Sequence, residues 1–465
     1  MYNEGTIIAL SSPPGSGAIS IIRLSGKDSI SKTDKFFESK SGKKLKDCNG
    51  YSISYGNFLA GEEVLDEVVI SIYKGPHSYT GEDVVEISCH GSNYIQQEII
   101  SSFTSSGVRL ASPGEFTLRA YLNNKKDLSQ AEAVSDLIAS ESKEAHRVAM
   151  HQMRGGYSNE IEKLREKLID FKSLIELELD FSEEDVEFAD RKDLKDLLNT
   201  LESKLSGLIE SFTYGNVIKE GVTVTIAGKP NAGKSSLLNA LVNEDKAIVS
   251  DIPGTTRDAI EDVTVINGIK FRFIDTAGIR ETSDKIESIG VERAKGKIGK
   301  SRVLIYLFDR SDISENELIN EVESYKRDDL NIFIVENKID LLNNLNTDSY
   351  KDNINQLIKS KNIELLQISA LNQTNIEDLK NAISKDLNLS SENSIVITNS
   401  RHLEALKNSL KAIESVKKGL KDGISGDLLS IDLNDAIINI SIITGKIDID
   451  QDILGSIFSK FCIGK

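Results

Sequence analysis

Eight consecutive residues, Gly228-Lys229-Pro230-Asn231-Ala232-Gly233-Lys234-Ser235, place two glycines, an amine and a hydroxyl at the spacing that holds a polyphosphate. Gly228 and Gly233 admit backbone angles closed to other residues, so successive N–H groups can turn inward around phosphate oxygens at a helix N-terminus. Lys234 adds a point charge for binding and catalysis, the Ser235 hydroxyl takes a place on Mg²⁺, and Asn231, Ala232 and Ser236 complete the loop. This chemistry is nucleoside triphosphate binding. The elements that must position it are legible on either side: Gly221 to Gly228 reads as an apolar strand and Ser236 to Val242 as an apolar helical start.

Asn337, Lys338 and Asp340 follow the apolar run Ile332 to Val335, at the C-terminal end of a predicted strand, where open α/β sheets bind ligands. The Asp340 carboxylate can accept from the N1–H and exocyclic amine of guanine, which adenine does not offer. Such a site discriminates by roughly 10⁴ to 10⁵, because the wrong base leaves a buried charge unpaired. Ser369, Ala370 and Leu371, after the strand predicted over 363–368, supply the loop that closes over the base. Phe271 to Asp275 reads as a strand ending in an acid, so Asp275 can reach the magnesium shell. Gly278, after Thr276 and Ala277, offers its N–H to the γ-phosphate. Upstream, Ser250, Asp251, Ile252, Pro253, Gly254, Thr255 and Thr256 form a further nucleotide-contacting segment, with Thr256 the second candidate protein ligand for Mg²⁺. Five segments in this order define a GTPase domain.

Ile279 stands where many GTPases carry the glutamine that orients the attacking water, and an aliphatic side chain cannot do that. Hydrolysis therefore needs another charge and another water-positioning group, a contribution normally worth about 10³ to 10⁵ in rate. Arg257 and Arg280 are local candidate cations, although Arg257 reads equally well as a structural partner for nearby carboxylates.

The segments 230–241, 251–258 and 275–281 resemble the nucleotide domain of the MnmE (TrmE) family of tRNA-modification GTPases. Other assembly-type GTPases share much of that set. The discriminating matches lie elsewhere: Pro13-Pro14-Gly15-Ser16-Gly17, the Ile-Ile-Arg23-Leu-Ser-Gly run, Tyr79 to Glu86, Pro113-Gly114-Glu115-Phe116, Leu122 to Leu128, and the terminal Cys462-Ile463-Gly464-Lys465. The resemblance covers the whole chain. Ser92 departs from the second glycine that commonly follows His90-Gly91 in the family.

The resemblance implies GTP hydrolysis stimulated by K⁺ and by association of nucleotide domains, with a homodimer formed through the N-terminal domain. K⁺ would lie against Asn231 and the loop at Ser250, Ile252 and Thr255; an amide oxygen is a suitable hard neutral ligand. The water-positioning acid maps onto Glu287, which read without the family is one acid on an exposed helix. The resemblance further implies 5-formyl-tetrahydrofolate, or a related folate, held by Arg23, Glu86, Lys125 and Lys465, cations for carboxylates and an acid for the pterin edge. The implied partners are tRNA and the FAD-dependent protein MnmG (GidA), FAD being carried by that partner. Together they would add an aminomethyl or carboxymethylaminomethyl group to C5 of the wobble uridine, using a one-carbon unit from the folate. Cys462 reads as either a functional thiol or a packed one.

At 465 residues the chain suffices for about three domains. No segment approaches about 18 uninterrupted apolar residues and no signal-like start is present, so the expectation is a cytoplasmic protein with no membrane span. Cys48, Cys89 and Cys462 are too scattered for a metal cluster or a disulfide framework. His146 and His151 do not share a helical face and are expected to be ordinary polar residues. A net charge of −17, from 56 basic and 73 acidic residues, argues against broad adhesion to RNA; a tRNA partner needs a local basic patch or a second protein.

Short β-like runs punctuated by glycine and proline fill the chain to about residue 118, including Ala18 to Leu24, Val68 to Ile72 and Val84 to Ser88. Helical spacing follows at Ile161, Leu164, Leu168, Phe171 and Ile175, and at Leu194, Leu198, Leu201, Leu205 and Leu208. It returns at Leu403, Leu406, Leu410 and Ile413, and at Leu429, Leu433, Ala436 and Ile440. The expected fold is α/β plus all-α. A Ras-like P-loop GTPase domain (218–385) is inserted in a helical bundle (119–217 and 386–465), preceded by an α+β folate-binding-like domain (1–118). A ribosome-assembly switch of the Era or Der kind is the alternative, which the N-terminal segment and the Cys-Ile-Gly-Lys tail disfavour. Cys462 is also a poor prenylation signal.

Overall fold

The computed structural model describes residues 5–180, 191–242, 261–275, 298–299, 301–341, 362–385, 395–447, 451–459 and 461–464. The chain divides into two compact units. One comprises Met1–Ile138, Ala149–Leu205 and Glu404–Lys465; the other comprises Ala139–Val148 and Ser206–Leu403.

The first unit opens with a sheet built from β1 (Ile7–Leu10), β2 (Ile19–Ser25), β3 (Phe37–Ser39), β4 (Ser52–Ala60), β5 (Glu63–Tyr73), β6 (Val84–His90) and β7 (Arg109–Leu110), in the order β3-β4-β5-β6-β2-β1-β7. Alternation assigns the faces: Val68, Ile70 and Ile72 of β5 are buried, and helix Asn93–Ser105 lays Ile99 and Phe103 into the same core. β2 and β6 are antiparallel in a register that pairs Arg23 with Glu86.

The helical part of this unit follows the apolar spacing. Ile161, Leu164, Leu168, Phe171 and Ile175 are all buried on helix Gly156–Asp180, which packs against helix Gly426–Thr444 through Leu429, Leu433, Ala436 and Ile440. Helix Ser400–Asp422 departs from the expected stripe. Leu410 is only partly buried, while Ala405, Ser409 and Val416 face the core. The small Ser409 permits a close helix approach, its hydroxyl reaching the Ala436 carbonyl at 3.3 Å.

The second unit holds a six-stranded sheet of β8 (Val222–Ala227), β9 (Glu261–Ile266), β10 (Ile269–Asp275), β11 (Val303–Phe308), β12 (Asn331–Glu336) and β13 (Ile363–Gln367), in the order β13-β12-β11-β8-β10-β9. All pairings are parallel except that of edge strand β9 with β10. Every residue of β11 is buried, as expected for a strand covered on both faces. β8 lies between β10 and β11, so the strand order reverses beside it and a ligand crevice opens at its C-terminal end. The segment Ala139–Val148 docks on the β9–β10 hairpin, where Glu144 N–H donates to the Gly268 carbonyl and Lys270 pairs with Glu141 at 2.7 Å.

Candidate functional site: a phosphate loop, a base loop and an N-terminal charged cluster

The chain turns from β8 into helix Lys234–Val242 through a loop that only glycine can follow at two points. Gly228 has φ +143° and an added Cβ would stand 1.9 Å from the Leu307 carbonyl oxygen; Gly233 has φ +98° and a Cβ there would meet Asn337 Nδ2 at 2.3 Å. The Lys234 ammonium donates to the Gly228 and Lys229 carbonyls, both at 2.9 Å, which holds it against the loop. Asn231 is exposed with φ +62°, and Ser235 and Ser236 are exposed at the helix start. This cradle of backbone donors, a lysine and a hydroxyl fits a magnesium-bound polyphosphate.

Asn337 does more than its place beside the base suggests. It is buried, its amide donates to the Ala232 carbonyl at 2.8 Å, and its carbonyl accepts from the Ala370 N–H at 3.0 Å. One side chain thus fastens the phosphate loop to both base loops. Asp340 accepts from the Ser369 hydroxyl at 2.5 Å, which orients its carboxylate. Lys338 adopts φ +62° and its ammonium lies 2.8 Å from Asp309. Burial works to raise the Asp309 pKa, but hydrogen bonds from Lys338 and Ser311 outweigh it and leave the carboxyl below its ordinary value. Leu371, 81% exposed, offers an apolar surface next to Ala370.

Asp275 ends β10, in register with Ile226 of β8 just before the phosphate loop. Ser250, Asp251, Ile252, Pro253, Gly254, Thr255, Thr256, Arg257, Thr276, Ala277, Gly278, Ile279, Arg280, Glu287 and Lys465 lie outside the described residues.

In the first unit, Arg23 and Glu86 meet as a pair: Arg23 Nε donates to Glu86 Oε1 at 2.8 Å and Nη2 lies 2.7 Å from the same oxygen. The segment ahead of Lys465 comes to them. Arg23 Nη1 and the Ser11 hydroxyl donate to the Gly464 carbonyl at 3.3 and 3.1 Å, and a Cβ on Gly464 would stand 2.2 Å from the Leu10 carbonyl oxygen. The Arg23 guanidinium lies 5.6 and 5.7 Å from the ring centroids of Tyr79 and Phe116. The Tyr79 hydroxyl bonds Thr117, and burial pushes its pKa up.

Lys125 is exposed, with Cγ beside Gly81. Its neighbour Lys126 is half-buried, with its ammonium 5.9 Å from the Tyr79 centroid; burial pulls its pKa down, partly opposed by Asp127. The contacts implied by the resemblance did not include Tyr79, Phe116 or Lys126. The signal was nonetheless present, since Tyr79 and Phe116 fall in two segments that carry the family resemblance. A guanidinium, a carboxylate, two aromatic faces and a second cation suit a flat, partly anionic ligand. Cys462 is exposed, and its carbonyl accepts from the Gly114 N–H at 3.4 Å.

A doubly wound sheet with a phosphate loop, an Asn-Lys-x-Asp base loop and a Ser-Ala-Leu loop defines a Ras-like P-loop GTPase. Residues 6–125 match the family described as GTP-binding protein TrmE N-terminus, and residues 128–462 match the MnmE helical domain. The tRNA modification GTPase MnmE of Flavobacterium johnsoniae is 50% identical, with all of both chains covered. That of Bacteroides fragilis is 48% identical over the same full extent. A structure of Aquifex aeolicus Era bound to GDP and tetrafluoroaluminate is 28% identical, with TM-score 0.27, covering 41% of this chain and 66% of that one. Family membership rests on the family models and the full-length relatives: the chain belongs to the MnmE family of tRNA modification GTPases.

Proposed function

We propose that this chain is a cytoplasmic, K⁺-stimulated GTP hydrolase acting in wobble-uridine modification of tRNA. In this reading 218–385 is the GTPase domain, 119–217 with 386–465 the helical domain and 1–118 the folate-binding-like domain. The loop from Asn231 to Ser236 grips the phosphates, Ser235 and Thr256 hold Mg²⁺, and Asp340 reads guanine. Asn231, with Ser250, Ile252 and Thr255, holds K⁺, which supplies the positive charge that an arginine finger brings in other GTPases. Glu287 orients the attacking water.

The N-terminal cluster holds a reduced folate, Arg23, Lys125 and Lys465 taking its carboxylates and Glu86 its pterin edge. The chain dimerises through the N-terminal domain and works with an FAD-dependent partner of the MnmG kind, which shares the tRNA contacts. The observation that carries the nucleotide half is Asn337, which fastens the phosphate loop to the base loops in one arrangement. The full-length family match supports the tRNA half.

Two measurements test it. GTP turnover in K⁺ should exceed that in Na⁺ at matched ionic strength, and Glu287→Ala should lower turnover with little change in GTP affinity. Mass spectrometry of wobble uridines in a strain lacking the protein should show the C5 group missing; unchanged modification would reject the tRNA role.

A further inference from the structure

Three strands of the nucleotide-binding unit end on one buried ion pair. Glu336, the last residue of β12, is 1% exposed and meets Arg310, two residues beyond the end of β11. Arg310 Nη2 donates to Glu336 Oε2 at 2.9 Å, and Nε lies 2.7 Å from Oε1 as a close ion pair. Gln367, the last residue of β13 and the register partner of Glu336, donates its amide to Oε2 at 2.8 Å. A single carboxylate therefore joins the ends of β11, β12 and β13. The loops that leave those ends carry Asp309, then Asn337 to Asp340, then Ser369 to Leu371.

Such a pair is a poor device for stability, because taking both charges out of water offsets most of their attraction. Its placement points to geometry instead. Asn337 follows Glu336 directly, the Asn337 N–H donates to the Phe308 carbonyl, and the Ile368 N–H donates to the Glu336 carbonyl. A slip of β12 against either neighbour would displace Asn337 from Ala232 and Ala370, and Asp340 from Ser369. A displacement of about 1 Å at a recognition site can cost on the order of 100-fold.

We propose that Glu336, fixed by Arg310 and Gln367, is a positioning residue for guanine recognition: it sets the relative height of the two base loops, and with it the affinity and base selectivity of the nucleotide site. The proposal rests on Asp340 as the guanine acceptor.

The test uses the full-length chain with GDP and IDP, whose base lacks the exocyclic amine, and measures both dissociation constants beside the melting temperature. The double variant Glu336→Leu/Arg310→Met removes both charges together and should melt close to wild type. It should nonetheless lose roughly 10- to 100-fold in GDP affinity, with the IDP-to-GDP ratio of dissociation constants falling several-fold. Glu336→Gln, assayed below its own transition, should show the same loss of selectivity with a lower melting temperature. A lowered melting temperature with an intact ratio, or wild-type affinity and ratio in the double variant, overturns the proposal. Asp340→Asn with XDP is the control. If that variant still prefers GDP over XDP, the base reading fails and takes this proposal with it; if it switches to XDP while the Glu336 variants keep wild-type selectivity, the proposal alone fails.

Discussion

The phosphate loop and the N-terminal cluster around Arg23 and Glu86 are assembled in opposite ways. The phosphate loop draws on adjacent residues and on backbone: its glycines turn where no side chain fits, and its lysine folds back on its own loop carbonyls. The N-terminal cluster draws on side chains gathered from across the sequence, Arg23 meeting Glu86 through strand register and Gly464 across 441 residues. A site written mostly in consecutive residues needs few distant partners, here Asn337 and the Leu307 carbonyl. A site gathered by topology exists only when distant segments have all docked.

The largest effect should come from breaking the local site. Gly228→Ala places a methyl 1.9 Å from a backbone oxygen that cannot move without shifting β11, and demands φ +143° of an L side chain. Fluorescent-nucleotide titration should show GTP binding weakened by more than about 100-fold, while folate binding persists, because separated sites behave additively. Folate binding lost in the same variant would erase the contrast.

The converse experiment attacks the gathered site. Deleting Cys462 to Lys465 removes the Gly464 carbonyl from Arg23, and should abolish wobble-uridine modification while GTP hydrolysis stays within about 2-fold of wild type. Arg23→Ala should weaken reduced-folate binding by roughly 10- to 100-fold, the usual worth of a hydrogen bond to a charged group. If the truncated chain loses hydrolysis as well, then Phe458 and Phe461 serve mainly to anchor the helical core against Leu128 and Val134.

The smallest effect sharpens the picture by reactivity. Burial raises the Cys89 thiol to about 11, with Asp66 adding to the shift, whereas Cys462 is exposed. At pH 8 only about a thousandth of Cys89 is thiolate, so a thiol-directed reagent should label Cys462 first, and a reduced folate should slow that labelling. Mass mapping of the labelled peptides reads it out, and equal rates at both positions would contradict the described packing.

These contrasts explain what the sequence could disclose. The loop from Gly228 to Ser235 and the Asn337 to Asp340 tetrad announce themselves because their chemistry is contiguous. That Asn337 fastens loops together was not legible, since its partners Ala232 and Ala370 act through backbone atoms that any residue carries. Glu336 escaped for a related reason: beside an apolar strand it reads as one more surface acid until Arg310 and Gln367 are seen to close on it. Apolar spacing located helix Gly156–Asp180 correctly, yet favoured Leu410 where Ser409 makes the contact, because period alone does not register how closely two backbones approach. In the N-terminal cluster the resemblance implied Lys125, and nothing in the sequence marked its neighbour Lys126 as the lysine half-buried beside Tyr79.

The Gly464 contact also sets a clock. Arg23 leaves the ribosome 441 residues before the carbonyl it will meet, and at about 5 to 20 residues per second that interval is roughly 20 to 90 s. Throughout it the N-terminal sheet can form, and Arg23 and Glu86 can find each other, but Arg23 still lacks the Gly464 carbonyl. The nucleotide loop waits less: Gly228 to Ser235 emerge together, and Asn337, which fastens them, follows Ala232 by 105 residues. During synthesis, then, the last residues made complete contacts of the first.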